Sequence, residues 1–416
     1  MDNLFLRPSY FDKLKEYIDK PVLKIISGLR RSGRSSVLKM IACEILKNVP
    51  SNQVVYIDLE SPQFSSIKSS DDLLLYINEN LTTTTKYYLF LDEVIQIHNW
   101  ELVIDMLSIR NIDLYISGSS LSLVFNDAKI SCEYSTVSVI VYPLSFKEFL
   151  DFKVKKRFII LEPNYKYSDI VIDTMLKSYI KVGGFPFISL IEQNDTTIQT
   201  AIQDILDSIL YRGTLRSNID NELLHLILTF IYENIGKIIS FFAISNYLKN
   251  MQIDTDNREI KKILDTLEEI FLIKKVYCYN ISEERTYDTI YKYYITDHSL
   301  QYLTQGFDNL NNIQGVLENI IYIELIRRKY DVKVGIIKSL EVDFIAKKDQ
   351  EIIYIQVCAH ANQNNIFERT LKSLKLITRA PNRIVITNSR IFGIDLKYVR
   401  SIQLKDFLLN EDFLNL

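Results

Sequence analysis

The chain has 416 residues, a formal net charge of −3 and 47% hydrophobic residues. That is long enough for about two to four domains with a substantial core, without the basic excess that would mark nucleic acid as an obligatory partner. No apolar run is long enough to span a membrane, and the start, Met1 to Arg7, does not read as a signal peptide. Cys43, Cys132, Cys278 and Cys358 lack the spacing of a zinc site or a disulfide framework, which predicts reduced core thiols in a cytoplasmic protein. The four histidines are equally dispersed.

In chain order, residues 1–145 alternate strand and helix signals. Strands are predicted at 22–27, 53–58, 87–92, 112–117 and 137–142. Such alternation predicts an α/β unit with a mostly parallel sheet and helices on both faces, with ligands at the carboxyl ends of the strands. The Thr82–Thr85 run reads as a loop. Residues 146–215 read as helices broken by the rigid turn Gly183-Gly184-Phe185-Pro186, in the manner of a helical lid. Residues 216–305 give three helices and a hairpin, the winged-helix order. Ser240 is an N-cap there, Asp256 and Glu259 form a capping box, and the hairpin turns at Ser282-Glu-Glu-Arg. On its third helix Arg258, Lys261 and Lys262 are offset by Glu259, Asp265, Glu268 and Glu269, so docking a protein is at least as good a reading as binding DNA. Residues 306–416 form a further α/β unit: a helix from Gly315, then strands near 332–337, 340–345 and 352–357.

The chemistry is written most densely in Gly28-Leu-Arg30-Arg31-Ser32-Gly33-Arg34-Ser35-Ser36. It follows an apolar strand and precedes an apolar helix, the context of a phosphate-binding P-loop. Gly28 and Gly33 let successive N–H groups point at phosphate oxygens, and the helix N-terminus adds positive partial charge. Ser35 stands where a hydroxyl ligates Mg²⁺. The usual Lys is Arg34, a planar fork and not a point charge, so binding is expected to survive better than hydrolysis. Downstream, Tyr87-Tyr-Leu-Phe-Leu ends in Asp92-Glu93. The first acid suits Mg²⁺ and the second suits polarising the attacking water. The next strand runs into Ser117-Gly-Ser-Ser120, where a polar side chain can meet the γ-phosphate or orient that water.

With these pieces in order, the chain resembles the bacterial and archaeal AAA-type ATPases that carry a winged-helix middle and a restriction-endonuclease-like C-terminal domain. The matching strings are GLRRSGRSS, LDEVIQIHNWE (91–101), SGSS (117–120), YPLSFKEF (142–149), GGFP (183–186), KYYITD (292–297), GVLENIIYIEL (315–325) and LEVDFI (340–345). The resemblance implies ATP and Mg²⁺ bound by an additional-strand P-loop core. Two departures stand out. The family's Gly-Arg pair before YPLSF is replaced by Tyr134-Ser135, so an arginine worth orders of magnitude in rate is missing. In the nuclease-like unit Glu318 and Asp343 fit the two acid positions, but the Glu-x-Lys place reads Gln356-Val357-Cys358, so nuclease activity is not expected. The leading expectation is an ATP-binding switch with slow or absent hydrolysis. The alternatives are a DNA-binding protein using the winged helix and nuclease-like unit, and a non-enzymatic scaffold; DNA and a protein client are the candidate partners beside the nucleotide. The sequence leaves the oligomeric state open.

Overall fold

The computed structural model describes residues 4–81, 86–108, 111–123, 135–155, 168–191, 194–214, 219–306, 312–360, 363–378, 382–389 and 399–415. The Thr82–Thr85 run, Tyr134 and Cys132 lie outside them. The chain forms two compact units, one of residues 1–143 with 269–271 and one of 144–268 with 272–416.

The first unit is built on five parallel strands: β1 (Val22–Ser27), β2 (Val54–Asp58), β3 (Tyr87–Asp92), β4 (Ile112–Gly118) and β5 (Ser135–Ile140), in the order β2-β3-β4-β1-β5. Strand β4 is inserted between β1 and β3, the additional-strand arrangement. The period-two alternation of β structure sorts each strand's side chains onto two faces. Leu23, Ile25, Leu89, Leu91, Leu114 and Ile116 pack on one face, under α3 (Ser70–Asn80) and α4 (Trp100–Ser108). Ile26, Tyr88, Phe90, Tyr115 and Val139 pack on the other, under α1 (Pro8–Lys15) and α2 (Arg34–Ile45). β5 begins two residues earlier than its apolar pattern suggests, because Val22 and Leu23 pair with the polar Ser135 and Thr136. Ser69 caps α3 in a reciprocal capping box with Asp72.

One pair of charges is buried inside this core. Lys24 on β1 hydrogen-bonds Asp113 on β4, and both side chains are shielded from solvent. Lys24 also donates to Lys20 O at 2.8 Å. The Asp113 carboxylate accepts from the Asp19 N–H at 2.8 Å and the Tyr115 hydroxyl at 3.2 Å. Burial pushes the Lys24 ammonium below the usual lysine pKa, and Asp113 opposes that shift.

In the second unit, α5 (Phe146–Lys155), α6 (Asp169–Val182), α7 (Pro186–Ser189) and α8 (Asp195–Thr214) precede α9 (Asn221–Glu233), the short strand β6 (Ile239–Ser240), α10 (Phe241–Asn250) and α11 (Asn257–Glu269). The hairpin β7 (Ile273–Asn280) and β8 (Arg285–Ile295) follows. After α12 (Tyr302–Gln305) come α13 (Ile313–Arg327), β9 (Asp331–Ile337), β10 (Leu340–Lys348), β11 (Glu351–Cys358), α14 (Asn364–Leu376), β12 (Asn382–Thr387), β13 (Arg400–Gln403) and α15 (Leu404–Leu409). β6 to β13 form one sheet in the order β13-β12-β11-β10-β9-β7-β8-β6. The hairpin joins the later strands through parallel pairing of Cys278, Tyr279 and Asn280 with Val334, Gly335 and Ile336. Ser240 caps α10 as expected. Asp256 accepts from the Arg258 N–H at 2.9 Å, while Glu259 accepts from the Thr255 hydroxyl at 2.9 Å and so does not close the box that its spacing suggests. Arg258, Lys261 and Lys262 are exposed, and α11 turns Ile260, Ile263, Leu264 and Leu267 inward. No described helix is long and apolar enough to cross a membrane.

Removing one member of a buried ion pair strands the other. Asp113→Ala should cost about 3–5 kcal/mol in urea unfolding. The double replacement Lys24→Met with Asp113→Leu should cost less than Asp113→Ala alone; a larger, additive loss would contradict this account of the pair.

Candidate functional site

The loop after β1 is shaped by close backbone approach. Gly28 has φ +140°, and a Cβ there would lie 2.3 Å from Val141 O, so glycine is required on both counts. Gly33, with φ +101°, is the N-cap of α2 and offers no capping side chain. Helix geometry leaves the first-turn N–H groups without intrahelical acceptors, so those of Arg34, Ser35 and Ser36 are available to an anion. Arg31 between them also has positive φ, 69°. The loop is held from behind by a residue that the sequence reading missed. Arg7 is buried, donates to Ser32 O at 2.8 Å and to Tyr142 O at 2.9 Å, and lies over the Tyr10 ring at 4.6 Å. A lone Arg before a Pro carries no pattern that would have marked it.

The acidic pair stands at the carboxyl end of β3, beside the loop. Asp92 is buried, and its carboxylate accepts hydrogen bonds from the Tyr56 hydroxyl at 2.7 Å and from the Ser117 hydroxyl. Burial, reinforced by Asp92, raises the Tyr56 phenol far above its ordinary pKa, so it stays a neutral donor. Ser117 also accepts from the Glu93 N–H at 3.2 Å. Its hydroxyl therefore positions both acids from the end of β4. Glu93 has a left-handed backbone, φ 57°, a conformation costly for a non-glycine residue and common at functional sites.

Arg34 and Glu93 form a buried ion pair through Arg34 Nη2 and Glu93 Oε1. Burial raises the Glu93 pKa above the usual carboxylate value, and the Arg34 charge opposes it. Arg30 makes a two-pronged ion pair with Glu60, at 2.6 and 2.7 Å, and lies 3.9 Å from Glu93. Glu60, two residues past β2, was not singled out by the sequence; its signal would have been its place at a strand's carboxyl end. Three buried polar atoms here have no hydrogen-bond partner: Ser32 Oγ, Arg34 Nη1 and Glu93 Oε2. Unpaired buried polar groups cost about 1–3 kcal/mol each. Two of the three are donors suited to phosphate oxygens, so the residues present fit a bound phosphate group. Ser35 and Ser36 are half-buried on the first turn of α2. Gly28, Arg30, Arg31, Ser32, Gly33, Arg34, Ser35, Ser36, Asp92, Glu93 and Ser117 thus belong to one end of one sheet. Tyr134 lies outside the described residues, and Ser135 opens β5.

A second polar cluster lies in the other unit. Glu318 on α13 and Asp343 on β10 come together, and Glu341 joins them from the same face of β10. Lys292 of β8 enters this group, 2.8 Å from Glu318 Oε2, ion-paired with Glu341 and 3.9 Å from Asp343 Oδ1. Burial opposes the Lys292 charge, but Glu318, Glu341 and Asp343 outweigh it and hold its pKa well above the usual lysine value. Burial, with Glu318 beside it, raises Asp343. Gln356 is turned to accept from the Asp343 N–H at 3.3 Å. Cys358 is buried, and burial raises its thiol pKa. Lys292 and Glu341 were not picked out from the sequence, although both lie inside strings quoted above.

Residues 20–150 match the family described as an AAA domain, and residues 173–311 match a domain of unknown function. An uncharacterised protein of Haemophilus influenzae is 31% identical over 97% of this chain and 98% of its own length. An uncharacterised protein of Methanocaldococcus jannaschii is 29% identical over 85% of this chain and 80% of its own. In the fold, a Walker-type ATPase of Pyrococcus abyssi superposes with a TM-score of 0.50 at 15% identity, covering 73% of this chain and 96% of that one. With a five-stranded parallel sheet and a glycine loop on its first strand, the chain belongs to the family of the Haemophilus influenzae protein, and its N-terminal core is an AAA-type P-loop ATPase domain.

Proposed function

We propose that the chain binds ATP with Mg²⁺ at the loop Gly28–Ser36 and hydrolyses it slowly or not at all, so that nucleotide acts as a switch. The observation that carries this reading is the Arg34–Glu93 ion pair: the residue placed to meet a phosphate is the partner of the acid placed to activate water. The free Nη1 of Arg34 and the free Oγ of Ser32 are donors waiting for acceptors. The first-turn N–H groups of α2 would take the remaining phosphate oxygens. Ser35 and Asp92 would hold Mg²⁺, whose chemistry is to neutralise charge on the phosphates. Tyr56 and Ser117 donate to Asp92 and hold its carboxylate in place. Glu93 would position the water. While Arg34 stays with it, its Oε1 meets the guanidinium and not a water.

The exchange of Arg34 from Glu93 to a phosphate is the proposed switch element. It has two discrete partners for one guanidinium, as a bistable device requires. The absence of an arginine where Tyr134 and Ser135 stand agrees with slow turnover. In the other unit we read 146–215 as a helical lid, 216–305 as a winged helix and 306–416 as a restriction-endonuclease-like fold. The supports are the order of α9, α10, α11 and the β7–β8 hairpin, and the acids of α13 and β10.

ATP–Mg²⁺ should raise the melting temperature of the purified chain. At a hundredfold excess over Kd the stabilisation is about 2.7 kcal/mol. Arg34→Ala should abolish most of the shift. No shift with the wild-type chain would favour the scaffold reading. Arg34→Lys, with a shorter point charge that cannot fork between two partners, should bind ATP similarly and turn it over about tenfold faster or more, a barrier change of roughly 1.4 kcal/mol. Glu93→Gln should keep binding and lose about 10²–10⁴ of whatever turnover is present, read by phosphate release.

A further inference from the structure

Glu318, Glu341 and Asp343 offer oxygens that all lie within 4.8 Å of one another. That is close to the spacing at which hard oxygen ligands gather round a divalent cation. The centre of the set already holds a positive charge. The Lys292 ammonium is fully shielded from solvent and meets Glu318 and Glu341, with Asp343 next nearest. An ammonium carries three N–H donors and no acceptor, so three surrounding carboxylates match its valence. Its four-carbon stem arrives from β8, whereas the acids stand on α13 and β10.

Glu318 and Asp343 are also engaged by further donors. Gln314 Nε2 donates to Glu318 Oε1 at 3.0 Å, the Tyr294 hydroxyl donates to Glu318 Oε2 at 3.2 Å, and the Val357 N–H donates to Asp343 Oδ2 at 2.7 Å. Gly236 closes the floor: a Cβ there would come within 3.0 Å of Glu318 Oε2. Both Glu318 oxygens and Asp343 Oδ2 are thus already engaged by protein donors.

We propose that Lys292 is the built-in cation of this carboxylate cage: its ammonium takes the place that a divalent metal would fill, and it ties the β7–β8 hairpin to α13 and β10. A metal ion and the Lys292 Nζ would compete for one volume with like charge. The cluster is therefore a closed joint and not a metal centre for as long as Lys292 is present.

The test uses the full chain without nucleotide and Mn²⁺ as the probe, read by electron paramagnetic resonance and by thermal unfolding. Wild type should show no Mn²⁺ binding that Glu318→Gln removes. Lys292→Ala leaves three carboxylates facing one another and should melt lower. Mn²⁺ should raise its melting temperature and register as an added bound ion, and Lys292→Ala with Glu318→Gln should lose both effects. Where Lys292→Ala does not fold on its own, Mn²⁺ present during refolding should recover it. Glu318-dependent Mn²⁺ binding by wild type overturns the proposal. So does a Lys292→Ala chain that neither binds Mn²⁺ nor is stabilised or refolded by it.

Discussion

The loop end of the first unit depends on one constraint: a guanidinium stands where the loop meets the acidic pair, and its charge is met there by Glu93. Arg34 is buried, so its charge cannot be left to water. Glu93 is buried for the same reason and carries a raised pKa. Each therefore compensates the other, and the rest of the site is arranged round that compensation. Ser117 and Tyr56 fix Asp92 without its taking part in the pair. Glu60 holds Arg30 back, so that a second guanidinium does not settle on the same carboxylate. Arg7 fixes the loop through Ser32 O and ties it to Tyr142 O. The strain at Glu93 is held by this network, since its backbone conformation is not favourable alone.

Several strings that first looked like separate family marks are partners of one another. In KYYITD, Lys292 meets Glu318, Tyr294 donates to Glu318, and Ile295 exchanges both backbone hydrogen bonds with the Asn319 side chain at 2.8 Å. Glu318 and Asn319 are the EN of GVLENIIYIEL. Asp297, the last letter of KYYITD, accepts from the Gly184 N–H at 2.8 Å and from Ser299. His298 and Tyr302 then bond the carbonyls of Tyr179 and Ile180 just before the Gly183-Gly184 turn. Residues that form one buried polar network are constrained together, because any one of them lost leaves its partner unsatisfied.

The sequence made legible whatever repeats with a period or sits at a strand end. The five strands of the first sheet, the P-loop, Asp92, Glu93 and Ser117 were all read from such signals, and the parallel order follows from alternation of strands and helices. What it hid were long-range pairings of single polar residues. Lys24 and Asp113 sit in apolar strands and read as noise until β1 and β4 are neighbours. Arg7 and Glu60 reach the loop from elements with no motif of their own. The joining of β7 to β9 depends on a parallel register between segments separated by α12 and α13, and no local pattern records it.

The two basic residues that replace expected chemistry, Arg34 and Lys292, differ in a way that the hydrogen-bond accounting makes plain. Both sit against buried carboxylates, and both units thereby avoid an isolated buried charge. Beside Arg34, however, a guanidinium nitrogen, a carboxylate oxygen and a serine hydroxyl remain unpaired. Round Lys292 both oxygens of Glu318 have donors, as does Asp343 Oδ2, and no oxygen of the cage is left buried and bare among the described residues. An incomplete network gains by accepting a ligand, since the ligand pairs groups that already carry a desolvation cost. A complete one can only lose by opening. The first unit is thereby left with buried groups still to pair, and the cage of the second with none.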